Sequence, residues 1–447
     1  MTYPQVCAYL NSLANYEKNI NYSYPQTFKL ERVRDFLEGL GAPQKSLRII
    51  HVAGSKGKGS TCAMVAYVLR AAGFRVGLYT SPHLQDFRER IRVLEPLSRT
   101  AGRDFEGMIP KGTLADLVGQ IKPGIARFNR RSPYGQLSFF EVYTVLAFLY
   151  FKQKRIDFAV METGLGGRLD ATNAADSLIC GITPLSLEHV DKLGNTLAKI
   201  AAEKAGIIKR KGALVISAHQ EKPARRVILS RCKKFSARLY EVGRQIKYSV
   251  AKGGLTVKGL SNEYRDLKIN LIGKHQAANA ALATGIVEAL GFYGWEIKEV
   301  ALRRGLAQTV WPGRCERIKQ HPLVILDGAQ NAASAQVLKK AISDNFSVSA
   351  VKKYRKLILV LGISADKDIA GICKPLSSLA DTVILTRAAT PRAIAPQKLA
   401  GYFRQKTYLT QSVREAGDLA AKLAAKEDLI LVTGSLFVVG EYRDAGK

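Results

Sequence analysis

Apolar and polar residues follow two different patterns along the chain. Short, mostly apolar runs predict buried β-strands at 47–52, 74–79, 157–161, 178–182 and 213–217. Between these runs, apolar residues recur at helical spacing and predict helices at 62–72, 139–151, 197–209 and 223–235. Strands that alternate with helices of this length form parallel βαβ units. The pattern therefore predicts an α/β fold built on a parallel sheet.

Four other segments have patterns of their own. Residues 4–40 carry apolar side chains at helical spacing, and an alanine-rich helix is predicted over 273–290. Turns at glycines interrupt 238–272, which predicts β-structure. Residues 95–136 are polar with scattered Gly and Pro. We expect an insertion or mobile loop region there, with one helical stretch near 114–121.

A second α/β domain is predicted after Trp311-Pro-Gly-Arg314, which breaks the helical pattern. Strands are predicted at 322–326, 356–361, 382–386 and 428–432, with helices between them. We therefore expect two domains, 1–309 and 310–447. The length of 447 residues, which is too great for one ordinary core, agrees with this division.

The net charge of +31 raises nucleic acid as a partner. The charge is spread evenly, since residues 310–447 carry +9 and the remainder carries +22. An even spread is typical of a basic surface and not of a nucleic-acid-binding tail. We expect no specific nucleic-acid partner.

Composition and patterning also argue against membrane and disulfide-rich classes. The longest apolar run, 142–151, is too short to cross a bilayer, and the first residues show no secretory signal. The six cysteines are scattered with no C-x-x-C pair, which argues against a disulfide framework or a zinc ribbon. We expect a cytoplasmic protein that does not bind membranes.

A glycine-rich stretch, 51–61, connects the first predicted strand to the next helix. Its glycines let the backbone turn and bring N–H groups to an anion: Gly54, Gly57 and Gly59. Lys58 can reach a terminal phosphate, and Ser60 or Thr61 can offer a hydroxyl to Mg²⁺. The match to G-x-x-x-x-G-K-[ST] is imperfect, because Val52 replaces the first glycine. A glycine turn without phosphate is the alternative. The order strand, turn and helix favours the phosphate site.

One further residue, Glu162, has a candidate role from the sequence alone. Glu162 ends an apolar strand downstream of the phosphate loop, which is the expected position for a carboxylate that holds Mg²⁺. A helix-capping carboxylate is the alternative. His189 is weak evidence by itself, and the sequence alone gives Lys204, in the middle of a predicted helix, no special role.

Several motifs follow one another along the chain: His51-Val-Ala-Gly and Gly-Lys-Gly-Ser60, Tyr79-Thr-Ser-Pro-His-Leu84, Arg88-Glu-Arg-Ile91, Phe139-Phe-Glu141, 162–173, Glu203-Lys-Ala-Gly206, Pro312-Gly-Arg314 and Leu326-Asp-Gly-Ala329. With these motifs in this order, the whole chain resembles the folylpolyglutamate synthase/dihydrofolate synthase family, within the Mur-type ATP-dependent amide ligases. The resemblance implies a Mur-ligase-type central P-loop domain and a smaller C-terminal Rossmann-like domain.

The resemblance also implies the reaction. Such a ligase adds L-glutamate to a folate, and in some members to dihydropteroate, through an acyl phosphate formed from ATP. Mg²⁺ (two ions) is the implied cofactor, the substrates are small molecules, and a monomer is expected.

Residue roles follow from the matched motifs. Phosphates and nucleotide would be held by Gly54, Gly57, Lys58, Gly59, Ser60, Thr61, Asn279, Arg314, Asp327 and Gln330. The implied metal ligands are Ser60, Ser81, Glu162, His189 and Lys204, the last as a carboxylated lysine. The implied catalytic residues are Lys58, His189 and Lys204.

The chain departs from the family at three places. Ser55-Lys56 stands where Thr-Asn is usual, Glu188 replaces an aspartate, and Gln330 replaces a histidine. Three alternatives remain open at this point: a cell-wall precursor ligase of the Mur type, a nucleic-acid-stimulated P-loop ATPase, and a catalytically weakened binding protein.

Overall fold

The computed structural model describes residues 1–17, 22–96, 104–251, 253–348, 351–352 and 354–445. The chain forms two compact units. The first contains Met1–His83, Phe87–Asn270 and Ala277–Val310, and the second contains Leu84–Asp86, Leu271–Gln276 and Trp311–Lys447. Among the described residues, no helix combines the length and the apolar character that crossing a bilayer requires.

The first ten strands belong to the first unit: β1 (Ile49–Ala53), β2 (Val76–Tyr79), β3 (Ile91–Leu94), β4 (Phe158–Glu162), β5 (Ser177–Ile182), β6 (Leu214–Ser217), β7 (Arg238–Glu241), β8 (Lys247–Ala251), β9 (Gly254–Lys258) and β10 (Glu263–Leu267). The first eleven helices are α1 (Tyr3–Ser12), α2 (Tyr24–Thr27), α3 (Leu30–Gly39), α4 (Lys58–Ala71), α5 (Lys111–Arg131), α6 (Phe139–Gln153), α7 (Val190–Leu193), α8 (Leu197–Ala205), α9 (Lys222–Lys234), α10 (Lys274–Glu288) and α11 (Glu299–Gln308).

A seven-stranded sheet with the order β3-β2-β4-β1-β5-β6-β7 forms the centre of this unit. All its neighbouring strands are parallel except β3, which is antiparallel to β2. Every residue of β1 is buried, as expected for a central parallel strand covered on both faces. The chain leaves β1 toward β2 on one side and later returns to β5 on the other. The carboxyl end of β1 therefore lies at the position where open α/β sheets bind ligands.

Two helices beside this sheet show how the sequence sets their boundaries. α4 begins where Gly57 adopts a left-handed conformation, and nearly all of its residues are buried. α6 begins with a capping box, in which the Ser138 hydroxyl accepts from the Glu141 N–H and the Glu141 carboxylate accepts from the Ser138 N–H. Glu141 also pairs with the buried Arg32 of α3 at 2.7 Å, which joins α3 to α6.

The helical stretch predicted near 114–121 is confirmed, but the prediction of a loop over the rest of 95–136 is wrong for most of its described part. Residues 111–131 form the long helix α5, and its apolar residues at helical spacing are buried: Leu114, Leu117, Val118, Ile121 and Ile125. Internal glycines and Pro123 lowered the helical propensity, but the buried apolar face outweighs them. Residues 97–103 of the expected loop lie outside the described part of the chain.

The second unit contains β11 (Glu316–Gln320), β12 (Leu323–Leu326), α12 (Ala332–Phe346), β13 (Ser347–Val348), β14 (Val351–Lys352), β15 (Leu357–Leu361), α13 (Ile369–Ser377), β16 (Thr382–Leu385), α14 (Gln397–Ala400), β17 (Lys406–Leu409), α15 (Val413–Leu423), β18 (Leu429–Thr433) and α16 (Leu436–Ala445). Six of its strands form one sheet with the order β11-β12-β18-β15-β16-β17, in which only β11 is antiparallel to its neighbour. Its α/β character agrees with the prediction.

The sequence pattern misses the short pair β13 and β14 and three strands of the two large sheets. β3 contains the charged but fully buried Arg92, β11 is charged and mostly exposed, and β17 is a short edge strand. β3 and β11 are the antiparallel edge strands of their sheets. Edge strands and strands with internal charge lack the apolar run that marks a buried parallel strand.

Candidate active site

The phosphate loop, residues 54–60, connects β1 to α4 at the carboxyl edge of the sheet. Gly54 has φ +153° and Gly57 has φ +83°. A side chain at Gly54 would collide with Thr183, and one at Gly57 would collide with the amide group of Asn279. Both positions therefore require glycine, because the backbone turns and its neighbours approach it closely.

The segment after β5 braces this loop. The N–H groups of Ser55 and Lys56 both donate to the carbonyl of Pro184, at 3.1 and 3.2 Å. The Ser55 hydroxyl donates to the Ser186 carbonyl and accepts from the Ser186 N–H, both at 3.1 Å. Since these loop amides point to Pro184, the donors for an anion are the amides of the first turn of α4. The sequence analysis did not predict these hydrogen bonds between the phosphate loop and the segment after β5. The position of that segment at the carboxyl end of a strand was a signal that it could lie at a ligand site.

Two lysine side chains converge on one carbonyl of the loop. Lys58 Nζ donates to the Gly54 carbonyl at 3.1 Å, and Lys204 Nζ donates to the same oxygen at 2.7 Å. Lys204 is 2% exposed and lies next to the end of α8. The prediction that it lies in the middle of a helix is wrong, because α8 ends at Ala205 with Gly206 as its cap. Its position brings the ammonium against the loop.

Glu188 is the counter-ion of this cluster. Its Oε1 lies 2.9 Å from Lys204 Nζ, and its Oε2 lies 3.6 Å from Lys56 Nζ. Burial alone would raise the pKa of the Glu188 carboxyl, but the positive charges of Lys204, Lys58 and Lys56 outweigh burial and lower that pKa to about 2. Burial lowers the pKa of the Lys204 ammonium to about 8, although Glu188 opposes this shift. The cluster therefore holds an ionised acid and an amine that loses its proton more easily than usual.

Glu162 ends β4, beside β1, where it is 5% exposed. One of its oxygens accepts from the Ser81 N–H at 3.2 Å. Glu162 lies in register with Val52 of β1, just before the phosphate loop. Burial raises the pKa of the Cys62 thiol of α4, and the charge of Glu162 raises it further. Ser60, in the first turn of that helix, is also buried. Carboxylate and hydroxyl oxygens are the donors that Mg²⁺ prefers, so these residues fit a divalent metal chemically.

His189 differs from the other predicted ligands because it is exposed. Its backbone has φ +47°, and it directly precedes α7. Within the described ranges, no three or more His, Cys, Asp or Glu side chains are grouped as a metal site. The predicted metal set contains only two residues of those types, so its other donors would be hydroxyls and Lys204.

The turn after β4 is fixed by a buried carboxylate. Asp170 accepts from the N–H groups of Gly164 and Leu165, both at 2.9 Å, and burial raises its pKa. Arg168 follows in the same turn and pairs with Glu203 at 2.8 Å, while its N–H donates to the Glu203 carbonyl. Because Glu203 directly precedes Lys204, the turn anchors the end of α8 that carries the buried lysine.

Three predicted nucleotide-binding residues belong to the second unit. Asp327 follows β12 and accepts from the N–H groups of Cys315 and Ala329, at 2.8 and 2.9 Å. Burial raises the pKa of Asp327, and the charge of Arg314 opposes this. Gln330 is exposed, and its N–H donates to the Ser334 hydroxyl at 3.1 Å. Asp327 and Arg314 thus lie together at the end of a buried parallel strand.

Two protein families match the chain, the Mur ligase middle domain over residues 113–287 and the Mur ligase glutamate ligase domain over residues 313–436. The dihydrofolate synthase/folylpolyglutamate synthase of Bacillus subtilis is 34% identical over 424 residues, which cover 93% of this chain and 94% of that relative.

Solved structures give the same relationship. The folylpolyglutamate synthase of Mycobacterium tuberculosis complexed with ADP matches with a TM-score of 0.86 at 33% identity, over 100% of this chain and 98% of that one. A bifunctional folylpolyglutamate synthase/dihydrofolate synthase from Yersinia pestis, complexed with AMPPNP and a Mn ion, matches with a TM-score of 0.82 at 29% identity, over the same shares of the two chains.

Proposed function

The chain belongs to the folylpolyglutamate synthase/dihydrofolate synthase family of Mur-type ligases, and from this premise we propose its reaction. It ligates L-glutamate to the carboxylate of a folate, and to that of dihydropteroate, with ATP as co-substrate. ADP and phosphate are released. The single observation that supports this most strongly is the phosphate loop. Lys58 and Lys204 both donate to the Gly54 carbonyl of this loop, and Glu188 is the counter-ion of Lys204.

The chemistry requires an activated acid. A carboxylate is a poor electrophile, so its oxygen first attacks the γ-phosphorus of ATP and ADP leaves. The glutamate amine then attacks the carbonyl carbon of the acyl phosphate, the C–O bond to the phosphate breaks, and the amine loses a proton. Catalysis of the first step depends on positioning and on neutralising charge around the γ-phosphate. Lys58 and the first turn of α4 supply that charge.

We propose nucleotide-binding residues in each of the two units. In the first unit, the assigned residues are Gly54, Gly57, Lys58, Gly59, Ser60, Thr61 and Asn279. The contact position of Asn279 beside Gly57 supports its place in this group. In the second unit, the assigned residues are Arg314, Asp327 and Gln330. Gln330 can hydrogen-bond a phosphate but carries no charge.

A divalent cation fits the donors of the first unit, and we propose two Mg²⁺ ions. Ser60, Ser81 and Glu162 would hold one, and His189 and Lys204 would contribute to the other. When bound, the cations neutralise charge on the transferred phosphoryl group. Glu162 and Ser60 support this proposal, because they are buried oxygen donors at the edge of the sheet where the phosphate loop begins.

As an ammonium, Lys204 cannot bind a cation, and we propose that it acts as a carbamate. The neutral amine attacks CO₂, an N–C bond forms, one C=O electron pair moves to oxygen, and the nitrogen releases a proton. Only the neutral amine reacts, so the lowering of the Lys204 pKa by burial to about 8 supports this modification. The product presents carboxylate-like oxygens that suit Mg²⁺.

We propose the domain division 1–309, an ATP-binding P-loop domain, and 310–447, a Mur-type α/β domain. We also propose a monomeric enzyme. The cysteines, all six unpaired, support a cytoplasmic location.

A substrate panel tests the function. Purified protein with ATP, Mg²⁺ and L-glutamate is given dihydropteroate, tetrahydrofolate or a UDP-muramoyl peptide, and ADP release and the ligated product are both measured. We expect glutamate-dependent product from a pteridine substrate. Product from the muramoyl peptide alone would identify a cell-wall ligase, and DNA-stimulated hydrolysis that ignores glutamate would identify a different P-loop ATPase. Both results would contradict the proposal.

A further inference from the structure

Two departures of this chain from its family contact each other. Lys56 stands where the family usually has asparagine, and Glu188 stands where it usually has aspartate. Their charged groups lie 3.6 Å apart, with the Lys56 side chain 35% exposed and the Glu188 side chain 14% exposed. The backbone N–H of Lys56 donates to the Pro184 carbonyl at 3.2 Å, which fixes the start of this side chain beside the segment that carries Glu188.

The other oxygen of Glu188 contacts Lys204. The Lys204 Nζ to Glu188 Oε1 distance is 2.9 Å, and the lysine side chain is 3% exposed. Of the described residues, Lys204 and Lys56 supply the ammonium groups within 4.0 Å of Glu188. Glu188 therefore bridges the phosphate loop and the end of α8.

Carbamate formation would change the Lys204 side chain from a cation to an anion. Glu188 would lose its nearer cation and face an anion at close range. Two carboxylate-like groups in a largely buried site repel each other strongly. Lys58 also acts on Glu188 through its charge, but its ammonium donates to Gly54 and is assigned to the nucleotide phosphates. Lys56 is the cation that stays beside Glu188.

We propose that Lys56 is a positioning residue, which stabilises the carbamate of Lys204 by holding Glu188 and neutralising its charge. The proposal rests on the carbamate proposed above. It gives the two departures one physical reason: the acid contacts Lys204, and the additional cation contacts that acid. An aspartate is one methylene shorter, and we expect a site with aspartate and asparagine to need no such partner.

The test measures the carbamate directly by ¹³C NMR on the full-length protein in [¹³C]bicarbonate with MgCl₂. The wild type is compared with Lys56→Asn, Lys56→Arg and the double variant Lys56→Asn/Glu188→Asp. Lys204→Ala, which cannot form the carbamate, is the reference without a signal. Lys45→Asn is the matched control, since Lys45 forms an exposed pair with Glu38 in the same unit. The readout is the bicarbonate concentration at half-maximal signal.

We expect Lys56→Asn to raise this concentration by about three- to tenfold, as loss of a partly screened charge near an anion predicts. Lys56→Arg and the double variant should recover most of the wild-type value, and Lys45→Asn should leave it unchanged. If Lys56→Asn has the same half-maximal bicarbonate concentration as the wild type, the proposed role of Lys56 is overturned, but the carbamate is not. Absence of a carbamate signal in the wild type would overturn both this role and the proposed modification, whereas the ligase reaction would still be tested by the substrate panel.

Discussion

Removing the charge of Glu188 should destabilise the first unit by an amount that the structure allows us to work out. The pKa of Glu188 is lowered from 4.5 to about 2 in the folded protein. A difference of about 2.5 units corresponds to about 3 kcal/mol of stability at neutral pH. Because the folded pKa is the lower one, this stability is present above pH 4.5 and is lost as the pH falls toward 2. Glu188→Gln should therefore lower the free energy of unfolding by about 3 kcal/mol at pH 7, and by much less at pH 3.

The assay is urea unfolding in metal-free, CO₂-depleted buffer, so that Lys204 remains an amine. Trp295 reports on the first unit, since its ring packs edge-to-face against Phe158. A Trp311→Phe background removes the signal of the other tryptophan. In a Lys204→Met background, Glu188→Gln should cost less than half as much, because the nearer partner is already absent. Equal stability of Glu188→Gln and the parent at pH 7, or the same cost in both backgrounds, would refute the counter-ion role.

Three further predictions follow from individual contacts. Lys58→Ala should lower the ligation rate by about 100-fold or more, because the other lysine of the loop, Lys56, is paired with Glu188, and near-normal ADP release would contradict it. Gly73→Ala should cost about 1–2 kcal/mol in urea unfolding, because Gly73 has positive φ, and Gly57→Ala should cost at least as much, because Gly57 has positive φ and its new side chain also collides with Asn279. Only Gly57→Ala should also weaken ATP binding in calorimetry, since only there does the new side chain meet Asn279, and equal ATP affinity for the two variants would contradict this. Glu141→Ala should cost about 3–5 kcal/mol by leaving the buried Arg32 without its carboxylate, whereas Glu38→Ala, in an exposed pair, should cost less than about 1 kcal/mol. Equal losses of unfolding free energy in Glu141→Ala and Glu38→Ala would show that loss of the Arg32–Glu141 pair does not cause the destabilisation.

Buried parallel strands could be predicted from the sequence because each is a short apolar run. The phosphate loop could be placed because strand, glycine turn and helix follow each other along the chain. Helix α5 could be predicted only near 114–121, since its glycines and Pro123 obscure the helical periodicity over the rest of its length. The order of local signals thus fixes much of the α/β architecture, whereas long-range packing decides the remaining elements.

The charge cluster around Glu188 lay beyond sequence reasoning for a different reason. Its members are far apart in the chain, and Lys204 looks like an ordinary helix lysine until its side chain is seen to be buried against Gly54. The resemblance to a family suggested a role for Lys204. By sequence alone, Lys56 and Glu188 were two unrelated departures from the family pattern. Their contact is a property of the folded chain.

The transfer of an oxygen atom tests the acyl-phosphate reaction most directly. A folate or dihydropteroate with ¹⁸O at both oxygens of the reacting carboxylate is incubated with ATP, Mg²⁺, L-glutamate and the enzyme, and the released inorganic phosphate is examined by mass spectrometry. We predict one ¹⁸O atom in phosphate for each glutamate added, because the carboxylate oxygen leaves with the phosphoryl group. Ligated product accompanied by unlabelled phosphate, or phosphate release that does not depend on the pteridine substrate, would contradict the proposed ligase chemistry.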